Sequence, residues 1–246
     1  MLERARDLAS AERRERRRRR THALRFYRQF IPPGGLCFDI GANIGQRTAL
    51  FLELGARVVA VEPQPDCAAI LRRDHSEATV LEAAIGPSSG TATLLVANYP
   101  TLATLSPEWV SAVKASGRFA EFEWNDELEI RTRTLDDLIS EYGAPDFCKI
   151  DVEGYEYGVI QGLSTPVPAL AFEFEKERAD ERLRAVDHLA TLGMQAFNFS
   201  FGESLHFALP AWVDRDAICS FLQEPVHTNV SFGDVYARSS DVSHRR

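Results

Sequence analysis

The stretch that decides the fold is Phe38-Asp39-Ile40-Gly41-Ala42-Asn43-Ile44-Gly45, answered further on by Val61-Glu62-Pro63. An apolar run at 36–40 ends in the turn Gly41-x-x-x-Gly45, an amphipathic stretch at 46–54 follows, and a second apolar run at 57–61 ends at Glu62. That order reads as strand, tight turn, helix, strand. Glycine serves such a turn in two ways: it accepts positive φ without a Cβ penalty, and it lets the backbone approach a ligand closely. A carboxylate at the end of the second strand, about 20 residues beyond the turn, can accept hydrogen bonds from both hydroxyls of a ribose. Glu62 holds that place.

Outward from this unit the alternation continues. A helix is expected at 66–74, a strand at 79–84, a strand at 129–134, a helix at 135–142 opened by Thr134, and a buried strand at 147–150. A helix beginning near Gly154, a strand at 169–174 and a helix at 182–193 complete the pattern. Segments 195–201 and 232–237 alternate apolar with polar or small residues, as two antiparallel strands closing one edge would. Strands that are apolar throughout indicate a parallel sheet covered on both faces, hence a doubly wound, Rossmann-like α/β domain. The rhythm breaks after the turn at 86–90 and an added strand at 91–96: the polar-aromatic stretch 98–125 shows no period. A segment of that length inside a domain is a lid, a substrate loop or a disordered insert. Upstream, 23–31 has helical spacing and stops at Pro32-Pro33-Gly34-Gly35. The expected division is a basic leader and helix at 1–31, one domain at 32–240 with an insert at 98–128, and a tail at 241–246.

Composition agrees with one core, since 246 residues with 45% apolar content suit a single large α/β domain. Four cysteines without Cys-x-x-Cys spacing argue against a disulfide scaffold or a zinc cluster and fit a reducing compartment. With no apolar run of about 18 residues and no secretory signal core, a cytoplasmic protein is expected. The net charge of −8 is uneven: residues 1–30 hold 11 Arg against 4 acidic groups, a +7 segment on a −15 body. The run Arg13-Arg14-Glu15-Arg16-Arg17-Arg18-Arg19-Arg20 attracts phosphate at long range. A solvated leader that lies against the acidic body or an acidic partner is the preferred account, with an anionic surface as a further one, and no nucleic acid is expected.

The turn chemistry separates two classes of cofactor. A nicotinamide or flavin dinucleotide usually asks for Gly-x-Gly-x-x-Gly, with a pyrophosphate on the helix N-terminus. Here Asn43 stands in place of the middle glycine, and Asp39 precedes the first. A carboxylate there repels a pyrophosphate and suits an ammonium, which favours a cationic nucleoside without phosphates. A binding protein that kept the fold and lost catalysis is the alternative from another class.

Together with Thr134-Leu135-Asp136-Asp137-Leu138 and Lys149-Ile150-Asp151-Val152-Glu153-Gly154-Tyr155-Glu156, these motifs resemble FkbM-type methyltransferases in order and spacing, from about Pro33 to Glu175. The resemblance implies the class I methyltransferase fold, a mostly parallel seven-stranded sheet with an antiparallel closing strand. It implies S-adenosylmethionine as donor and a small-molecule acceptor, most often a hydroxyl of a sugar, polyketide or other metabolite. On this likeness Asp39, Gly41, Asn43 and Gly45 surround the methionine end, Glu62 and Pro63 hold the ribose, Glu82 and Ala83 lie near the adenine, and Asp151 borders the cofactor.

Ligands of open α/β sheets bind beyond the carboxyl ends of the strands, so Asp151 and Glu153, after the strand at 147–150, should face the donor methyl. Methyl transfer from a sulfonium needs alignment of acceptor, carbon and sulfur, and removal of the acceptor's proton. Asp151 is the first candidate for that work, Glu153 the second and Glu173 the third. Carboxylates meeting at one rim can also bind Mg²⁺ or Ca²⁺, although a resident divalent metal is not expected. Structural readings stand beside these: Glu153 caps the following helix, Lys149 pairs with a neighbouring acid, and Trp109, Phe119 and Trp124 either stack on an acceptor or anchor the insert. A histidine base from His206 or His227 has no motif behind it.

Overall fold

The computed structural model describes residues 2–99, 102–224 and 231–239. Helix α1 (Leu2–Tyr27) precedes β1 (Leu36–Ile40), α2 (Gln46–Glu53), β2 (Arg57–Val61), α3 (Pro65–Asp74) and β3 (Thr79–Leu81). An inserted unit follows, made of β4 (Ala84–Ile85), β5 (Gly90–Ala97), α4 (Pro107–Ser116) and β6 (Trp124–Arg133). The chain returns through α5 (Leu135–Tyr142), β7 (Phe147–Ile150), α6 (Glu156–Ile160), β8 (Ala169–Glu175), α7 (Ala179–Thr191), β9 (Met194–Phe201), α8 (Arg215–Gln223) and β10 (Phe232–Ser239). The tail at 241–246 and His227 lie outside the described residues.

All five residues of β1 are buried, because Leu36, Phe38 and Ile40 join a cluster on one side of the sheet and Cys37 joins another on the opposite side. A strand without a polar face must be covered twice. Helices α5, α6, α7 and α8 supply Leu138, Val159, Val186 and Leu222 to the first cluster. On the other side, Phe51 of α2 and Leu71 of α3 meet Phe26 and Tyr27 of α1. The C-terminal part of α1 is therefore core, while its residues 12–20 are exposed and carry the arginine run. Burial of each such aromatic stabilises the fold by about 1.5–3 kcal/mol. Phe30, just past α1, stacks on Phe147 at 5.0 Å and on Tyr236 at 5.7 Å, which fixes where the helix ends on the sheet.

The sheet order is β3-β2-β1-β7-β8-β10-β9. Strands β3 to β8 are parallel, and β10 runs antiparallel between β8 and β9. Only β10 is reversed relative to the rest: β9, antiparallel to β10, regains the common direction at the edge. The run expected as one strand at 79–84 is divided, since β3 belongs to this sheet and β4 to a second one of order β4-β6-β5. The strands expected at 91–96 and 129–134 pair with each other there, in register from Gly90↔Thr132 onward. Within 98–125 stands a helix, α4, that hydropathy alone did not reveal. Its ends obey local rules: the Ser106 side chain accepts from Trp109 N, Pro107 occupies the first turn, and Gly117 closes it at φ 75°. Thr134 and Asp137 form the capping box that opens α5. No helix among the described residues is long and apolar enough to cross a membrane.

Candidate active site

The turn after β1 contains three positive φ values, 78° at Gly41, 50° at Asn43 and 92° at Gly45. Its glycines answer to the protein's own packing. A Cβ on Gly41 would lie 1.8 Å from the carbonyl oxygen of Asp151, and one on Gly45 would lie 2.3 Å from the ring of His75. The close approach that requires glycine is thus between this turn, the segment after β7 and the end of α3, where the sequence had suggested approach to a ligand. Asn43 accepts the left-handed conformation with its Oδ1 taking the N–H of Ile44 at 2.8 Å.

Glu62 closes the same turn from the end of β2. Its Oε2 accepts the N–H of Asn43 at 2.8 Å, and its Oε1 accepts the N–H of Gln64 at 2.9 Å and the Gln64 amide at 3.3 Å. Burial pushes the Glu62 carboxyl up from the ordinary range, and these hydrogen bonds oppose that push. Each carboxylate oxygen has two lone pairs, so acceptor capacity remains for a ligand.

A cavity of about 230 Å³ opens over the carboxyl ends of β1, β2 and β7. Gly41, Asn43, Glu62, Pro63, Ala83, Asp151 and Glu153 line it. Of the other sequence candidates, Asp39 is buried beneath the turn, where the Thr48 hydroxyl donates to it at 2.5 Å, and Gly45 packs on His75. Glu82 points outward and pairs with Arg72 at 3.0 Å. The wall is completed by Tyr155, from the motif at 149–156, and by residues that no motif marked, among them Arg47, Gln64, Thr104, Leu105 and Glu203.

At the end of β7 one carboxylate oxygen from each of Asp151, Glu153 and Glu173 lies within 4.8 Å of the others. Lys149, fully buried, stands 3.2 Å from Asp151 and 3.0 Å from Asp234, so the pairing expected for it is realised twice. Burial raises the Asp151 carboxyl, but Lys149 and Arg47 outweigh it and hold the group below the usual carboxylate range. Glu173 hydrogen-bonds to Asp151 and is pushed well up, by burial first and by Asp151 and Glu153 next. Glu153 is also raised, by burial and then by Glu175 and Asp151, and its backbone sits at φ 53°. It does not cap a helix. The N-cap of α6, Tyr155, has no side-chain cap; Glu156, the first residue of the helix, reaches back into the loop, where its Oε1 accepts the N–H of Val152 at 3.0 Å and of Gly154 at 3.3 Å, with its carboxyl pushed up by burial to about 7.

The insert is fastened to this segment. Thr104 donates from its hydroxyl to the Glu153 carbonyl at 2.7 Å, and the Trp109 indole N–H donates to Glu175. A Cβ on Gly154 would lie 2.2 Å from the Trp109 ring. Arg118 then bridges Glu175 at 2.7 Å and Glu177 at 3.2 Å. Trp109, Phe119 and Trp124 pack into a small core of the insert's own and do not line the cavity. His206 stacks on His22 at 4.2 Å, also away from the cavity.

Comparisons with known proteins place this geometry. A family model described as the methyltransferase FkbM domain matches residues 39–213. Among solved structures, the precorrin-6y C5,15-methyltransferase from Geobacter metallireducens is 13% identical, with 90% of this chain and 87% of that chain covered at a TM-score of 0.46. A TehB-like SAM-dependent methyltransferase from Corynebacterium glutamicum is 11% identical, with 94% and 99% covered at 0.46. Aeropyrum pernix fibrillarin with natively bound S-adenosyl-L-methionine is 9% identical, with 85% and 68% covered at 0.43. No curated protein matches the chain. The match across most of the sequence, together with the turn, Glu62 and the strand order, shows that this chain belongs to the FkbM methyltransferase family, S-adenosylmethionine-dependent enzymes of class I fold.

Proposed function

We propose that the enzyme methylates a hydroxyl oxygen of a small polyhydroxylated acceptor, a sugar or a polyketide, with Glu153 as the group that takes the acceptor's proton. The observation that carries this reading is the convergence of Asp151, Glu153 and Glu173 beside a cavity whose other wall is Glu62, Pro63 and Ala83. S-adenosylmethionine, when bound, supplies an electrophilic methyl group on a sulfonium. Glu62 and Pro63 would hold its ribose, with Ala83 beside the adenine and the backbone of Gly41 and Asn43 beneath; Asp39 and Gly45 support that turn from behind.

Of the three acids, Asp151 is held by Lys149 and by the proton of Glu173, which makes it a fixed negative charge and a poor base. Glu153 lines the cavity, and burial makes it readier to keep a proton once taken. A cation in the cavity favours its ionised form before the reaction. Asp151 already has Lys149 as its cation, and the reaction is read as one without Mg²⁺ or Ca²⁺, although one oxygen from each of the three acids could meet at a metal. Residues 98–128 form the acceptor-side wall, residues 1–31 a leader whose arginines meet an acidic partner or anionic surface, and the protein works in the cytoplasm. The test is incubation of the protein with a cell extract and methyl-labelled S-adenosylmethionine, with and without EDTA. Label in a methyl ether of a small molecule, undiminished by EDTA, is the expected result; label on nitrogen, carbon, protein or nucleic acid overturns the acceptor, and loss with EDTA overturns the metal-free reading.

A further inference from the structure

Among the described residues, one charged pair in the cavity wall makes no ion pair with the turn or with the acid cluster. Arg47 lies in the first turn of α2, Glu203 lies just beyond β9, and both line the cavity that Glu62 lines. Their contact is long, 3.4 Å, between an arginine side chain 19% exposed and a glutamate 72% exposed. We propose that Arg47 and Glu203 are the receptor for the zwitterionic amino-acid end of the cofactor, the guanidinium taking its carboxylate and Glu203 its ammonium. This rests on the reading of the cavity as the S-adenosylmethionine site.

Three observations carry the assignment. A guanidinium has five N–H donors, and among the described residues the contact to Glu203 is the single ion pair Arg47 makes. The Asp234 and Asp151 carboxylates act on its charge through space, which stabilises a mostly buried cation without further ion pairs. The lining also changes character along the chain's layout. Apolar Ala84 and Ile85 come directly after β3 in the sequence, Glu62 ends β2, and Glu203 follows β9 at the far edge of the sheet. Base, diol and zwitterion follow one another in that sequence. Finally, the turn chemistry had offered Asp39 to the ammonium, and the structure turns Asp39 inward onto Thr48, which leaves the amino-acid end to other partners. A dianion such as phosphate fits worse, since Glu203 beside Arg47 repels it; a ligand of both signs satisfies both residues, and Glu203, exposed and held only at 3.4 Å, gives up its contact at little cost.

Calorimetric titration with S-adenosylhomocysteine and with 5′-methylthioadenosine, which lacks the amino-acid end, tests the assignment without turnover. Arg47→Met should weaken S-adenosylhomocysteine about 10- to 100-fold and leave methylthioadenosine within about twofold. Glu203→Gln should weaken the first about 3- to 10-fold and spare the second. Unchanged S-adenosylhomocysteine affinity in both variants overturns the proposal. Should Arg47→Met lose both ligands through misfolding, Glu203→Gln at its exposed site decides alone. A wild-type protein that binds neither nucleoside defeats the cofactor site itself, a different result from a wild type that binds both and variants that do not discriminate.

Discussion

Glu62 on one hand and Asp151 and Glu153, backed by Glu173, on the other border the same cavity and are built in opposite ways. Glu62 has both oxygens engaged by N–H donors at 2.8 to 3.3 Å, so its position is fixed by the turn it closes. Asp151, Glu153 and Glu173 have mainly one another, with Lys149 beneath and Arg118 reaching the neighbouring Glu175. A carboxylate surrounded by donors is a stationary acceptor for hydroxyls. Carboxyls crowded together in a buried place share and exchange protons. On the proposed reading the first serves recognition and the second proton transfer, and each part of the difference can be broken.

The largest effect should come from the cation under the cluster. Lys149→Met leaves Asp151 and Asp234 without their buried partner and should cost about 3–5 kcal/mol, read as a lower urea midpoint with an unchanged slope. Glu153→Gln should lower kcat about 10²- to 10⁴-fold while S-adenosylhomocysteine affinity holds. In the wild type, kcat should climb with pH as the raised Glu153 carboxyl ionises, and the variant should lose that climb; a profile kept intact would move the base elsewhere. Glu62→Ala should weaken S-adenosylhomocysteine about 30- to 1000-fold through loss of hydrogen bonds to a charged acceptor, and should also lower stability because the N–H groups of Asn43 and Gln64 lose their acceptor. An unchanged dissociation constant would remove Glu62 from the ribose.

A smaller effect concerns Glu156, a third environment, where burial raises the carboxyl to about 7. A raised acid contributes stability that is present below its unfolded value, about 4.5, and is lost as pH rises through about 7. This group's contribution to wild-type stability should therefore fall between about pH 4.5 and pH 7. Glu156→Gln keeps an oxygen for the N–H groups of Val152 and Gly154 and should flatten that fall by at most ~3 kcal/mol, measured as thermal midpoint against pH. The smallest change should follow deletion of residues 2–20, which spares Phe26 and Tyr27 and removes the exposed Arg20–Glu53 pair. Turnover should persist and stability shift by no more than about 1 kcal/mol.

The sheet and the turn were legible because their signals are local. Gly41, Gly45 and Glu62 sit at element ends, where conformation and position follow from the next few residues. The reason for the glycines was not, since the atoms that exclude a side chain at Gly41 belong to Asp151. Arg47 carries no signal within α2, and its cavity wall becomes complete only when Glu203 arrives from beyond β9. The split of 79–84 between two sheets likewise depends on β6, a distant strand. Helix α4 had a readable signal in Ser106-Pro107 at its start and Gly117 at its end, hidden by a polar-aromatic sequence without helical period.

The fit of Trp109 against Gly154, with Thr104 on the Glu153 carbonyl, has a consequence for how such enzymes diversify. Recombination that brought in a foreign 98–128 segment would replace the wall and also remove the bolts on the reacting loop. A viable chimera has to inherit residues 151–156 from the same parent. Segments remote in the gene are thus bound to travel as a pair, and shuffling libraries that cross over between them should yield folded, idle proteins.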